Sequence, residues 1–178
     1  MKILVVIDMQ NDFLDGALRN EEAIKIIDDV CSKIEEYKNS NALILATRDT
    51  HYDNYMETNE GKNLPVPHCI YNTYGWEIND KIKMSLGDAK VFDKPTFGSV
   101  ELANYLYDNY KENEEELDIE LCGVCTDICV ISNAMLIKAY LPNSNIVVDA
   151  RLVRGVTNET HQNALNAMKC CHIKVVGE

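Results

Sequence analysis

"KILVVIDM", residues 2–9, decides the fold. Its apolar residues run on without a polar residue between them, and four of the five are β-branched. A strand with one wet face alternates, whereas a strand covered on both faces reads as such a continuous run. Working outward, "ALILATRD" (42–49), "KVFDKP" (90–95), "ELDIELCGV" (116–124), "SNIVVDA" (144–150) and "HIKVVGE" (172–178) read as five further strands. Between them lie helical segments. Residues 20–39 repeat apolar positions at 24, 27, 30, 31 and 34, with acids in the first turn and lysines toward the end. Residues 99–110 start at Ser99, a residue type that caps helices, residues 126–141 run up to Pro142, and residues 158–170 form a fourth helix. Strands separated by helices imply crossover connections. The expectation is therefore an α/β fold: a single domain over residues 1–178, doubly wound, with a mostly parallel six-stranded sheet and helices on both faces. Residues 50–75, rich in Asn, Glu, Gly and Pro, form a long polar connection of a kind that compact domains keep chiefly for function.

Composition narrows the class of function. The formal net charge is −12, which argues against nucleic-acid or anionic-membrane partners, since phosphate contacts need clustered Lys and Arg. The seven cysteines are odd in number and lack framework spacing, which points to reduced thiols and a cytoplasmic protein. "MKILVVIDMQ" has too short an apolar core for a secretory signal, and no apolar run approaches the roughly 18–20 residues that span a bilayer.

Ligands of open parallel sheets bind outside the carboxyl ends of the strands. The polar residues there are Asp8 after the first strand, Arg48, Asp49 and His51 after the second, Lys94 after the third, and Cys125 to Cys129 after the fourth. Cys129 lies about one turn into a helix that begins at "GVCTD"; the free amides and dipole of such a start lower a thiol pKa and suit a nucleophile. A small buried core residue reads equally well from that spacing. Cys125 and Cys129 are four apart, not the redox CxxC spacing, and two thiols alone make no zinc site. Asp8, poorly solvated at a buried strand end, suits a general base or a charge that caps the next turn. Lys94 is held extended by Pro95, and reads either as a partner for Asp8 and Cys129 or as a solvated lysine. Asp49, His51 and His68 offer oxygen and nitrogen to a divalent metal, with Glu57 and Glu60 as candidates for a further ligand.

Taken together, "VVIDMQNDF" (5–13), "FDKPTFGS" (92–99) and "CGVCTDICV" (122–130) resemble the motifs of the isochorismatase-like cysteine hydrolases, and among them the nicotinamidases, over nearly the whole chain. The resemblance implies an amidohydrolase with a catalytic triad of Asp8, Lys94 and Cys129, an oxyanion hole of the Cys125 and Cys129 backbone amides, and a cis peptide bond between Val124 and Cys125. It implies a small-molecule amide substrate, a homo-oligomer, no organic cofactor, and a divalent metal (Zn, Fe or Mn) on Asp49, His51 and His68. The third histidine usual in that loop is missing, and Glu60, nine after His51 and eight before His68, fits its place better than Glu57. The aromatic residue often found three before the last metal histidine is Pro65 here, beside Leu64, so Phe13, Leu64 and Phe97 are the expected pocket residues. Three other readings stand beside nicotinamide hydrolysis. One is an amidase for another small amide, carbamoyl or ureido substrate. Another is an ether-hydrolysing isochorismatase, which Cys129 argues against. The last is a non-catalytic doubly wound binding module, which would want a phosphate-binding loop where "DMQNDFLDG" supplies acids.

Overall fold

The computed structural model describes residues 1–178. Six strands form one all-parallel sheet: β1 (Lys2–Ile7), β2 (Leu43–Asp49), β3 (Lys90–Lys94), β4 (Asp118–Val124), β5 (Asn145–Arg154) and β6 (Lys174–Val176), in the order β3-β2-β1-β4-β5-β6. The run that suggested a doubly covered strand sits at the centre, and Ile3 to Ile7 are buried. Successive side chains point to opposite faces. Ile3, Val5 and Ile7 join a core that α6 (Val100–Tyr110), α7 (Ile131–Tyr140) and α8 (Asn158–Cys170) cover. Leu4 and Val6 join a second core under α1 (Asn11–Leu14), α2 (Glu21–Lys25), α3 (Ile27–Asn39) and α5 (Asp80–Leu86). The strand order reverses between β1 and β4, so the crevice for a ligand opens where those two strands end.

Gly123 makes that junction close. Its φ is +113°, and a Cβ there would stand 2.0 Å from the Ile7 carbonyl oxygen. Only glycine permits this backbone and this approach.

Several boundaries depart from the sequence pattern. The 20–39 helix breaks at Ile26, whose N–H bonds back to Ala23 and Ile24, and the break turns Ile26 into the core beside Ala23 and Val30. β5 runs on past residue 150 to Arg154, because its register against β4 jumps between Leu121 and Gly123. Asp149 and Arg151 pair within the bulge, which accounts for polar residues in a strand. Helix α5 occupies residues to which the pattern assigns nothing; it is seven residues long with two buried apolar positions, too short to show a period. The 50–75 connection is ordered by a 3₁₀ turn (Tyr55–Glu57), by helix α4 (Asn59–Asn63) and by a parallel bridge between His51 and Ile70. The 126–141 helix begins as a wide turn, Thr126–Val130, before α7 proper.

Candidate active site

Asp8, Lys94 and Cys129 meet at the switch point. Asp8 is the first residue past β1 and adopts φ 47°. A left-handed backbone costs a non-glycine residue about 1–2 kcal/mol, and here it accompanies a carboxylate with strong local partners. Thr47 Oγ1 donates to Asp8 Oδ1 at 2.6 Å, and Lys94 Nζ stands 2.7 Å from Asp8 Oδ2. The register of β2 against β3 sets Lys94 opposite Asp49, and its ammonium reaches Asp49 Oδ1 at 3.2 Å and Cys129 Sγ at 3.4 Å. All three groups are buried, with Asp8 at 0%, Lys94 at 1% and Cys129 at 5% exposure, so their charges interact in a low dielectric.

Burial governs the protons. It pushes the Asp8 carboxyl up, against the Lys94 charge and with the help of Asp49. Burial works against the Lys94 ammonium too, but the carboxylates and the thiol around it win and keep it protonated. Burial and Asp8 together lift the Cys129 thiol well above its usual value, with Lys94 opposing. The wide turn places the sulfur under the surface beside a carboxylate, and both act against the lowering that a helix start would give. Loss of the thiol proton is disfavoured at rest, and a carboxylate and a cation stand beside the sulfur.

The peptide bond between Val124 and Cys125 is cis. Among the backbone hydrogen bonds outside regular elements none has the Cys125 N–H as donor, and no side chain accepts from it.

Asp49, His51, Glu60 and His68 form one cluster, with a ligand atom of each within 4.8 Å of all the others. His51 Nε2 lies 2.9 Å from Asp49 Oδ2 and 3.5 Å from Glu60 Oε1; His68 Nε2 lies 3.5 Å and 3.6 Å from the same two atoms. Ligand bonds of about 2.0–2.1 Å in a tetrahedron put neighbouring donors about 3.3 Å apart, so these residues fit a divalent ion. Two imidazoles with two carboxylates are a donor set for Zn, Fe or Mn. His68 Nδ1 points at the Val66 carbonyl at 2.8 Å, which leaves Nε2 free to coordinate. Against burial, hydrogen bonds to Asp49 and Glu60 raise His51 to about 9. Glu57 is exposed in the 3₁₀ turn and stays outside the cluster.

The cluster and the sulfur open into the same cleft, of about 1270 Å³, lined by Phe13, Leu64, Phe97 and Cys125 among others. Phe13 is buried and meets His68 edge-on at 5.8 Å, whereas Leu64 and Phe97, 37% and 44% exposed, stand at the mouth. Arg48 does not join the site. It lies on the other side of β2, paired with Asp93 and stacked 3.6 Å over Trp76, because the two-residue period of a strand turns Thr47 and Asp49 inward and Arg48 out. Thr47 itself was legible as the one hydroxyl in an apolar run. Two supports lie in "MQNDF". Gln10 Nε2 donates to the Asp49 and Trp76 carbonyls while its Oε1 accepts from Asp49 N–H, and Asp12 accepts from Cys69 N–H, pinning the residue after His68. Tyr55, edge-on to His51 at 4.7 Å and to His68 at 5.1 Å, leaves no mark in the sequence.

Known proteins share this arrangement of elements. The chain is 26% identical to the nicotinamidase/pyrazinamidase of Mycobacterium tuberculosis, over 99% of its own length and 98% of that protein's. Its structure resembles the pyrazinamidase of Pyrococcus horikoshii in complex with zinc, with a TM-score of 0.79, 30% identity and 99% of each chain covered. It also resembles the nicotinamidase PncA of Bacillus subtilis, with a TM-score of 0.82, 25% identity and 98% of each chain covered. The isochorismatase domain model matches residues 2–177, and on that match the chain belongs to the isochorismatase family.

Proposed function

We propose that this chain is a cysteine-dependent amidohydrolase that converts nicotinamide to nicotinate and ammonia. The observation that carries the reading is the contact of one ammonium with Asp8, Asp49 and Cys129 at the floor of an open cleft. Asp8 takes the thiol proton as the sulfur attacks the amide carbonyl, and the Lys94 charge, 3.4 Å from Sγ, holds the thiolate that forms. Because the thiol is raised, sulfur gains charge only as the proton passes to Asp8, which couples deprotonation to attack. The tetrahedral oxyanion takes the backbone N–H groups of Cys125 and Cys129. Asp8 then hands its proton to the departing ammonia, and water, activated by Asp8, splits the thioester to release acid and free thiol.

Asp49, His51, Glu60 and His68 would hold a divalent ion, whose Lewis acidity supplies an anchor for the ring nitrogen of the substrate. Phe13 offers a face to the ring. The cleft exceeds the roughly 300–1000 Å³ of most small-ligand pockets, and that width favours a second reading, an amidase for a bulkier amide or ureido compound. A single domain over residues 1–178, a homo-oligomer and a cytoplasmic setting belong to the same reading; seven free thiols suit a reducing compartment.

The test is ammonia release from nicotinamide, pyrazinamide and ureido compounds, with and without chelator. Turnover of nicotinamide that Cys129→Ala and Asp8→Asn abolish supports the mechanism. Undiminished release by Cys129→Ala ends it.

A further inference from the structure

The turn that carries Cys129 is braced from outside as well as by its own backbone bonds. Thr126–Val130 is a single wide turn, in which Val130 N–H and Ile128 N–H both donate to the Cys125 carbonyl, at 3.0 and 3.1 Å. Such turns are rare and occur frequently at functional sites. Three outside bonds brace this one. Asn133 Nδ2 donates to the Cys129 carbonyl at 2.8 Å. The Asp127 carboxylate accepts from Val156 N–H at 3.1 and 3.2 Å. Thr126 Oγ1 lies 2.8 Å from His161 Nδ1.

The last bond has the most leverage. Thr126 is fully buried, and His161 is the one side chain that its hydroxyl meets. Thr126 directly follows Cys125, whose N–H is aimed at no protein acceptor, and stands three residues before the sulfur. A shift of Thr126 therefore moves both. His161 is itself fixed. It sits in the first turn of α8, behind the reciprocal cap of Thr157 and Thr160, and its N–H bonds the Thr157 carbonyl at 2.9 Å. Gly155 passes so near that a Cβ there would stand 2.8 Å from His161 Cβ.

We propose that His161 is a positioning residue: through Thr126 it sets the aim of the Cys125 N–H and of the Cys129 thiol. This rests on the reading of Cys129 as nucleophile. The Thr126 hydroxyl and His161 Nδ1 share one proton at 2.8 Å, the imidazole tautomer setting which of them donates. Burial and Arg154 of β5 hold the imidazole below its usual value, against Asp127 of the turn and Glu178 at the C-terminus, which are the other charges facing it.

The test compares His161→Ala, His161→Asn, Thr126→Val and the His161→Ala/Thr126→Val double variant, with Gln162→Ala as a control on the exposed side of α8. It reads kcat and KM for nicotinamide across pH, and separately the rate at which iodoacetamide alkylates Cys129. His161→Ala and Thr126→Val should each lower kcat roughly ten- to a hundredfold with KM changed less than about twofold, the size of a small misplacement of reacting groups. The double variant should be no worse than either single one. His161→Asn, which sets a polar atom where Nδ1 was, should regain most of the rate. Alkylation should slow in the same order, and Gln162→Ala should match the parent protein. A His161→Ala protein within about twofold of the parent, or losses that multiply in the double variant, overturns the proposal. If His161→Ala does not fold, His161→Asn and Thr126→Val decide on the same measures. If the parent protein releases no ammonia, the functional reading fails by itself, and the alkylation rates decide the role of His161, equal rates overturning it.

Discussion

Replacing Lys94 by methionine removes the cation at the centre of the site and keeps most of its volume. Asp8 and Asp49 then share a buried space without the ammonium that stood 2.7 and 3.2 Å from them. Asp49 keeps His51, 2.9 Å away, and Asp8 keeps only the Thr47 hydroxyl. Breaking a buried ion pair by removing one partner costs about 3–5 kcal/mol. With a urea slope of about 2 kcal/mol/M, the unfolding midpoint should fall by roughly 1.5–2.5 M at neutral pH. The sign of the pH dependence follows from Asp8. Its carboxyl is already raised above 3.8 by burial, and the loss of Lys94 raises it further. A group that holds its proton more tightly folded than unfolded imposes no penalty below its unfolded value. The penalty grows as pH climbs toward the folded value and is constant above it. The stability gap between Lys94→Met and the parent should therefore be small at acid pH, where Asp8 is protonated folded and unfolded alike, and widen as pH rises toward neutrality. Turnover should vanish, because nothing holds the thiolate that forms. The measurement is a set of urea titrations across pH, with chelator present in all samples. A neutral-pH midpoint shift below about 0.5 M with unchanged slope, or a gap independent of pH, would refute the claim that Lys94 holds the Asp8 carboxyl down against its burial.

Three further outcomes follow from the same geometry. Thr47→Val removes a hydrogen bond to a charged acceptor, which should cost about 1.5–3 kcal/mol in urea unfolding; since Thr47 lowers Asp8, the acid limb of kcat should move to higher pH, and an unmoved limb counts against Asp8 as the base. His51 at about 9 carries a proton at neutral pH in the metal-free protein, so binding Zn or Mn should release about one proton per ion, read by calorimetry in two buffers of different ionisation enthalpy; identical heats would show that His51 is no ligand. Gly123→Ala forces a Cβ to 2.0 Å from the Ile7 carbonyl at φ +113° and should lose at least about 3 kcal/mol or all soluble yield; a variant with the parent's urea midpoint would mean that β1 and β4 can part there.

The metal loop shows where reading along the chain stops. Asp49, His51 and His68 stand out by residue type, but both Glu57 and Glu60 were within reach of the cluster on spacing alone. The Thr58 cap, whose hydroxyl accepts from Gly61 N–H, starts α4 there and leaves Glu57 on the solvent side while Glu60 faces the imidazoles. Arg48 tells the same story on β2: only the position of Asp8 says which face of the strand is the inward one.

What the sequence by itself determined is what neighbours along the chain can encode: a doubly covered first strand from an unbroken apolar run, helix starts from their caps, and the polar residues left at strand ends. Strand order, the reversal between β1 and β4, the bulge in β5 and the raised thiol of Cys129 were decided only by the tertiary structure. The reason is that these depend on distances between atoms from residues 8, 94 and 129, which packing sets across the sheet, and on the loss of water around them, which no local pattern of residues records.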